Sequence, residues 1–169
     1  RECGSNCESC GDSTTCTVCS SDFYLKGGEC VMEDDCGIGF WADDQANPWQ
    51  CSACEIHCDK CSDSTTCTTC SSGFYLTQDF DCVRDCDSGF WEDDEAAPQK
   101  CRACGDTHCD TCSDNATCTA CSSDSYLTGG DCVRDCDSGF WGDDQAEPKQ
   151  CSACESHCDT CTSSTTCTA

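Results

Sequence analysis

The sequence predicts a small disulfide-rich fold, mostly irregular with short β-hairpins and essentially no helix, laid out as a linear rod of tandem repeats. Three observations predict it. The chain has 28 cysteines in 169 residues, far above the level that marks a disulfide scaffold. The cysteine frame that opens at Cys51 opens again at Cys101 and at Cys151, a period of fifty residues, and a fixed period marks one structural unit repeated along the chain. Leu, Ile, Val and Phe are scarce, so a unit of this size is marginal on burial alone and needs covalent staples or metal.

Within one period the frame reads C-x2-C-x3-C-x2-C-x5-C-x2-C-x11-C-x3-C-x14, with a residue or two of drift between copies. The repeats are expected at 1–53, 54–103 and 104–153, with the start of a fourth at 154–169. From Arg1 to Cys19 the residues between cysteines are Ser, Thr, Asp and Gly, which favour turns, so irregular loops are expected there. From Ser21 a short aromatic run meets Gly27-Gly28 and a second short run, a two-residue hairpin signal because the favoured turns need positive φ. The later copies place Gln78-Asp79 and Gly129-Gly130 at this tip. A Gly-Phe-Trp segment then leads through an acidic loop to Pro48, Pro98 or Pro148. That segment reads as a second, looser hairpin with its proline in the loop or at an edge.

The net charge of −25 with eight Lys and Arg argues against nucleic acid or an anionic membrane surface as partner, since both need clustered cations. It also opposes folding back and favours an extended array. Nothing approaches the run of about 18 apolar residues that a membrane span needs. The even cysteine count points to an oxidising, extracellular or cell-surface compartment. With neither initiator Met nor signal peptide, the chain is expected to be a fragment of a longer array. By analogy with Cys118-Thr119-Ala120-Cys121, a cysteine is expected after Ala169, and another before Arg1.

The cysteine frame, the Gly-Phe-Tyr-Leu run, the Cys-Val-x-x-Cys step and the Gly-Phe-Trp run together resemble the furin-like cysteine-rich repeat, known in proprotein convertases, growth-factor receptors, R-spondins and protozoan cysteine-rich surface antigens. The regular copies and their Ser-Thr-Thr-Cys-Thr runs look most like the protozoan antigens. The resemblance implies a rod of small hairpins and a definite pairing. Four closely spaced cysteines interlace as Cys3–Cys10 and Cys7–Cys16, Cys54–Cys61 and Cys58–Cys67, Cys104–Cys112 and Cys109–Cys118, and Cys154–Cys161 and Cys158–Cys167. Cys19–Cys30, Cys70–Cys82 and Cys121–Cys132 close the first hairpins, and Cys36–Cys51, Cys86–Cys101 and Cys136–Cys151 the second.

Other chemistry weighs less. Cys51-x2-Cys54 with Cys58-x2-Cys61 also has ribbon-like zinc spacing, and His57, His108 and His157 recur beside it. Asn6 stands at that position in the first repeat, so staples are the preferred reading and no cofactor is expected. No catalytic constellation stands out from the repeat background, and the chain reads as a non-enzyme. The acidic loops Asp43-Asp44, Asp93-Asp94-Glu95 and Asp143-Asp144 are candidate calcium ligands, though two adjacent Asp cannot fill a shell of six to eight oxygens. Trp41, Trp91 and Trp141 recur at the period; each covers bridges of its own unit, or together they form an association stripe. Asn115-Ala116-Thr117 is the one N-linked acceptor pattern.

Three functions fit this chemistry. The favoured one is an extracellular structural protein, a piece of a repetitive cell-surface coat or filament that associates with neighbouring copies. The second is a ligand-binding receptor or secreted modulator on the same scaffold, disfavoured because the copies look interchangeable. The third is a zinc-binding array.

Overall fold

The computed structural model describes residues 2–168. The expectations about cysteines beyond Arg1 and Ala169 lie outside the described residues. The chain gathers into two compact units, residues up to 84 with 96–99, and 85–95 with 100 onward.

In the first repeat β1 (Cys7–Cys10) pairs with β2 (Cys16–Cys19) and β3 (Tyr24–Lys26) with β4 (Glu29–Val31). A 3-10 turn follows at Glu33–Cys36, then β5 (Phe40–Asp43) pairs with β6 (Gln50–Ala53). The next copy has β7 (Cys58–Cys61) with β8 (Cys67–Cys70), β9 (Tyr75–Leu76) with β10 (Cys82–Val83), and β11 (Phe90–Asp93) with β12 (Lys100–Ala103). The third has β13 (Cys109–Cys112) with β14 (Cys118–Cys121), β15 (Tyr126–Thr128) with β16 (Asp131–Val133), and β17 (Phe140–Asp143) with β18 (Gln150–Ala153). A last short pair, β19 (Cys161–Ser163) and β20 (Thr166–Cys167), ends the described chain. All these pairs are antiparallel, tandem small disulfide-rich units without an α-helix among the described residues.

The opening stretch of each copy corrects the sequence expectation. Residues up to Cys19 were expected as irregular loop, yet β1 and β2 form a hairpin with Cys7 opposite Cys19 and Cys10 opposite Cys16. Small polar residues support it because they bond across the strands. Thr17 Oγ1 donates to the Ser9 carbonyl at 3.0 Å, and Thr68 and Thr119 do the same to Lys60 and Thr111. Each opening strand carries a register shift, the local bend that an irregular sequence of this kind accommodates.

The two larger hairpins of a repeat join through one parallel contact. Leu25 lies beside Gln50, and Leu127 beside Gln150, so the first and third repeats each carry a four-stranded sheet, in orders β4-β3-β6-β5 and β16-β15-β18-β17. The small hairpin docks on the tip of the next one by a single backbone bond. Cys16 N–H donates to Gly28 O at 2.7 Å, and Cys118 N–H to Gly130 O at 2.7 Å. Both glycines have positive φ, 91° and 97°. In the second repeat the docking carbonyl belongs to Phe80, at φ 68°, a backbone region unfavourable for a bulky side chain. The burial map explains why the fold needs its bridges: the buried apolar residues are cysteines, joined by Asp93 and Ser125.

Phe80→Gly puts in the second repeat the residue that the other two use. Its ring is 51% exposed, so little burial is lost, while relief of the left-handed strain is worth about 1–2 kcal/mol. A higher denaturation midpoint is expected; a lower one would show that the ring holds the tip in place.

Candidate functional site

The chemistry of this chain is concentrated in its sulfur framework. Fourteen bridges join all cysteines with sequence separations from 7 to 15 residues, and no cysteine is free among the described residues. The structure links Cys3–Cys10 and Cys7–Cys16 across β1 and β2, Cys19–Cys30 beneath the β3–β4 tip, and Cys36–Cys51 at the Gly-Phe-Trp hairpin. The later copies repeat the scheme. Neighbouring bridges stack: Cys30 Sγ lies 3.3 Å from Cys16 Sγ, while Cys82 to Cys67 and Cys132 to Cys118 are 3.2 Å.

The groups of three metal-ligating atom types found within 4.8 Å of one another, Cys7, Cys16 and Cys30 among them, are such stacks. Their sulfurs are already bonded to sulfur, so they present no thiolate, the form that binds zinc. Two of the three recurring histidines, His57 and His157, have a backbone explanation that His108 does not share. Asn6, His57 and His157 share positive φ, 60°, 65° and 72°, and Asn and His are enriched in that region. The carbonyl at this position accepts from the backbone N–H of Ser20 or Ser71 at 2.8 Å. His57 also stacks on Phe74, centroids 3.9 Å apart. In the third repeat Ser125 replaces the phenylalanine, and His108 Nδ1 lies 3.3 Å from Asp106 Oδ1 with Arg134 beside Nε2.

The acidic loops are held by their own backbone. Asp43 Oδ1 accepts from the N–H groups of Gln45 and Ala46, and Oδ2 from Ser52 Oγ at 2.8 Å. Asp143 is placed alike, with Gln145 N–H and Ser152 Oγ. In the second repeat Arg102 takes the serine's place and ion-pairs with buried Asp93. Sequence reasoning missed this pair; the exchange of Ser52 for Arg102 opposite a constant aspartate was its signal. Asp44 holds the Gln45 side chain, and Asp144 pairs with Lys149 at 2.9 Å. Asp94 lies in the loop after β11. Trp41, Trp91 and Trp141 are half-buried, each with a buried Nε1 that has no hydrogen-bond partner. Asn115 is exposed at the tip of the β13–β14 hairpin, and its carbonyl accepts from Gly105 N–H at 2.9 Å.

A chain of tandem, cross-linked hairpin units with a sulfur core defines the class: a cysteine-rich repeat protein. Residues 76–147 match the family described as furin-like repeat, cysteine-rich. Similar proteins include cysteine repeat modular protein 1 of Tetrahymena thermophila, 31% identical over 80 residues, which are 45% of this chain and 3% of the relative. A variant-specific surface protein of Giardia intestinalis is 35% identical over 80 residues, 41% of this chain and 11% of the relative. R-spondin-3 of Mus musculus is 28% identical over 82 residues, 44% of this chain and 29% of the relative. The chain thus spans a minor part of the length of each.

The small-hairpin tips share an acid-sensitive device. The backbone N–H of Thr14 holds the Asp12 carboxyl below the usual carboxylate range, as Thr65 does for Asp63 and Ala116 for Asp114. His108 N–H does so for Asp106. A depressed folded pKa gives stabilisation that is complete above the ordinary carboxylate pKa and lost as pH falls through the folded value. These tips are therefore expected to keep their order at the ordinary aspartate pKa and to loosen only below it. Carboxyl-carbon NMR titration checks the order; midpoints at or above the model-compound value would reject the turn bonds.

Proposed function

We propose that this chain is part of an extracellular, non-enzymatic structural protein, a stretch of a repetitive cell-surface coat or filament. The observation that carries the reading is the framework of fourteen bridges, stable in an oxidising compartment. The surface-protein and secreted relatives support it. In this reading the repeats divide at 1–53, 54–103, 104–153 and 154–169, and each passes its cross-links on without redesign of the next. Self-repulsion at a net charge of −25 keeps the array extended. Neighbouring copies meet through the Trp41, Trp91 and Trp141 faces, and calcium at Asp43, Asp44, Asp93, Asp94, Asp143 and Asp144 is the ion to test for strengthening that contact.

Two measurements test the proposal. Peptide mapping and small-angle scattering of arrays with increasing repeat number should give the same bridge set and a radius of gyration growing in proportion to repeat count. Free thiols, zinc in stoichiometric amount, or the size of a globule of equal length would reject it. In protein from the native source Asn115 is expected to carry an N-linked glycan, read as a glycosidase-sensitive mass on its tryptic peptide. An unmodified Asn115 would argue against passage through a secretory compartment.

A further inference from the structure

The three junctions between a Gly-Phe-Trp hairpin and the following small hairpin share one latch. Gly39 N–H donates to Asp59 O at 2.8 Å, and Gly89 and Gly139 do the same to Asp110 and Asp159 at 2.7 Å. Beyond the latch the first junction differs. Five residues separate Cys30 from Cys36, against three between Cys82 and Cys86, and the longer segment forms the 3-10 turn Glu33–Cys36. Ser88 and Ser138 add a second bond to the latch, to Asp110 O at 3.3 Å and Asp159 O at 3.2 Å. Ile38 stands in their place, cannot donate one, and is 75% exposed. The result is a groove of about 600 Å³, against about 280 Å³ at the second junction. The copies look interchangeable in sequence; their surfaces are not.

One wall of this groove is a sheet edge. β5 is the outer strand of its sheet. Cys54 N–H bonds to Gly39 O at 2.9 Å, and the register runs Trp41 to Ser52 and Asp43 to Gln50. Antiparallel pairing alternates, so Trp41 and Asp43 exchange bonds with β6 while Phe40 and Ala42 turn their N–H and C=O outward. The Phe40 N–H closes back on Gly37 O at 3.3 Å. The Phe40 carbonyl and both backbone groups of Ala42 take no protein partner among the described residues, and both residues line the groove. An unpaired edge beside an open slot is the geometry for adding a strand.

We propose that this groove docks an extended segment of another protein, one that alternates basic and apolar residues and pairs with the outer edge of β5. An added strand sends alternate side chains to opposite faces. One set would meet Ile38 and Phe40, both exposed apolar side chains; the other would meet the carboxylates of Glu33 and Asp34 at the rim. Charge selects the occupant. With Glu33 and Asp34 lining the groove on a chain of net charge −25, this edge disfavours the same acidic edge of a second copy and attracts a cationic strand. Lys60 on the far wall favours spacing the basic residues rather than running them together. Such a contact goes beyond the structural role proposed above and leaves it standing.

The test uses the intact chain and a nonapeptide of alternating Arg and Val, with its Glu and Val counterpart as control. Hydrogen exchange should slow at the Ala42 amide and stay unchanged at Glu92 and Gly142. Affinity should fall with salt, and by about tenfold for Ile38→Ser, the loss of one partly buried aliphatic contact; that variant carries the serine of the other junctions and keeps the fold. Glu33→Gln should weaken the Arg peptide alone. The proposal is overturned by no protection at Ala42 at millimolar peptide, by equal protection at all three junctions, or by equal binding of the Glu peptide. Protection of Ala42 through self-association without peptide would equally overturn it.

Discussion

The stacking of one disulfide on the next is the constraint on which the rest of the structure depends. Cys16, Cys67 and Cys118 are buried, each bonded across its small hairpin and each touched by the sulfur of the neighbouring bridge. In a chain this poor in aliphatic residues the sulfurs take the place that Leu and Val hold in an ordinary domain. A bridge over so short a loop contributes about 2–3 kcal/mol in the chain-entropy picture, and bridges in contact do not add. Their larger effect is geometric. They hold strands of two to four residues that would not persist as isolated pairs.

Freed from packing a conventional core, the polar residues are used to fix turns. Asp12, Asp63 and Asp114 each accept from backbone N–H groups two residues on, at 2.8–2.9 Å, while Asp43 and Asp143 do so in the acidic loops. These five aspartates are thus set at turn positions, where a short carboxylate satisfies the backbone. At the small-hairpin tips the same placement keeps Asp12 and Asp114 exposed. Local turn formation and solubility are served by one residue type.

The β3–β4 and β5–β6 hairpins were legible in the sequence because Gly27-Gly28 and the Gly-Phe-Trp run are local signals. The β1–β2 hairpin was not, since Ser, Thr and Asp between cysteines read as turn formers, and its pairing depends on cross-strand threonine bonds and on bridges. The single parallel contact of Leu25 with Gln50 was equally hidden, as it joins segments that no local pattern relates. The histidine position shows a different limit. His57 beside two Cys-x2-Cys pairs invites a metal reading, whereas Asn6 and His157 share its left-handed conformation and the carbonyl at this position accepts a backbone N–H in each of the first three copies. The substitution between copies carried that information.

Differences between copies, read against a common frame, separate what the fold requires from what one copy adds. The latch at Gly39, Gly89 and Gly139 is common and belongs to the scaffold. The serine at the latch, the partner of the loop aspartate and the residue that supplies the docking carbonyl all vary, and each variation has a local structural consequence. Ser52 becomes Arg102 and turns a hydroxyl bond into an ion pair. Gly28 becomes Phe80 and places an aromatic ring in solvent. Ser88 becomes Ile38, together with a longer segment before Cys36, and opens a groove beside an unpaired strand edge. This last change places the exposed Ile38 side chain and an open groove beside that edge. A scaffold whose stability resides in its bridges can tolerate such an edge, because the strands beside it remain cross-linked when the edge is empty. Where function departs from pure repetition in this chain, the first junction is the place at which the physics permits it.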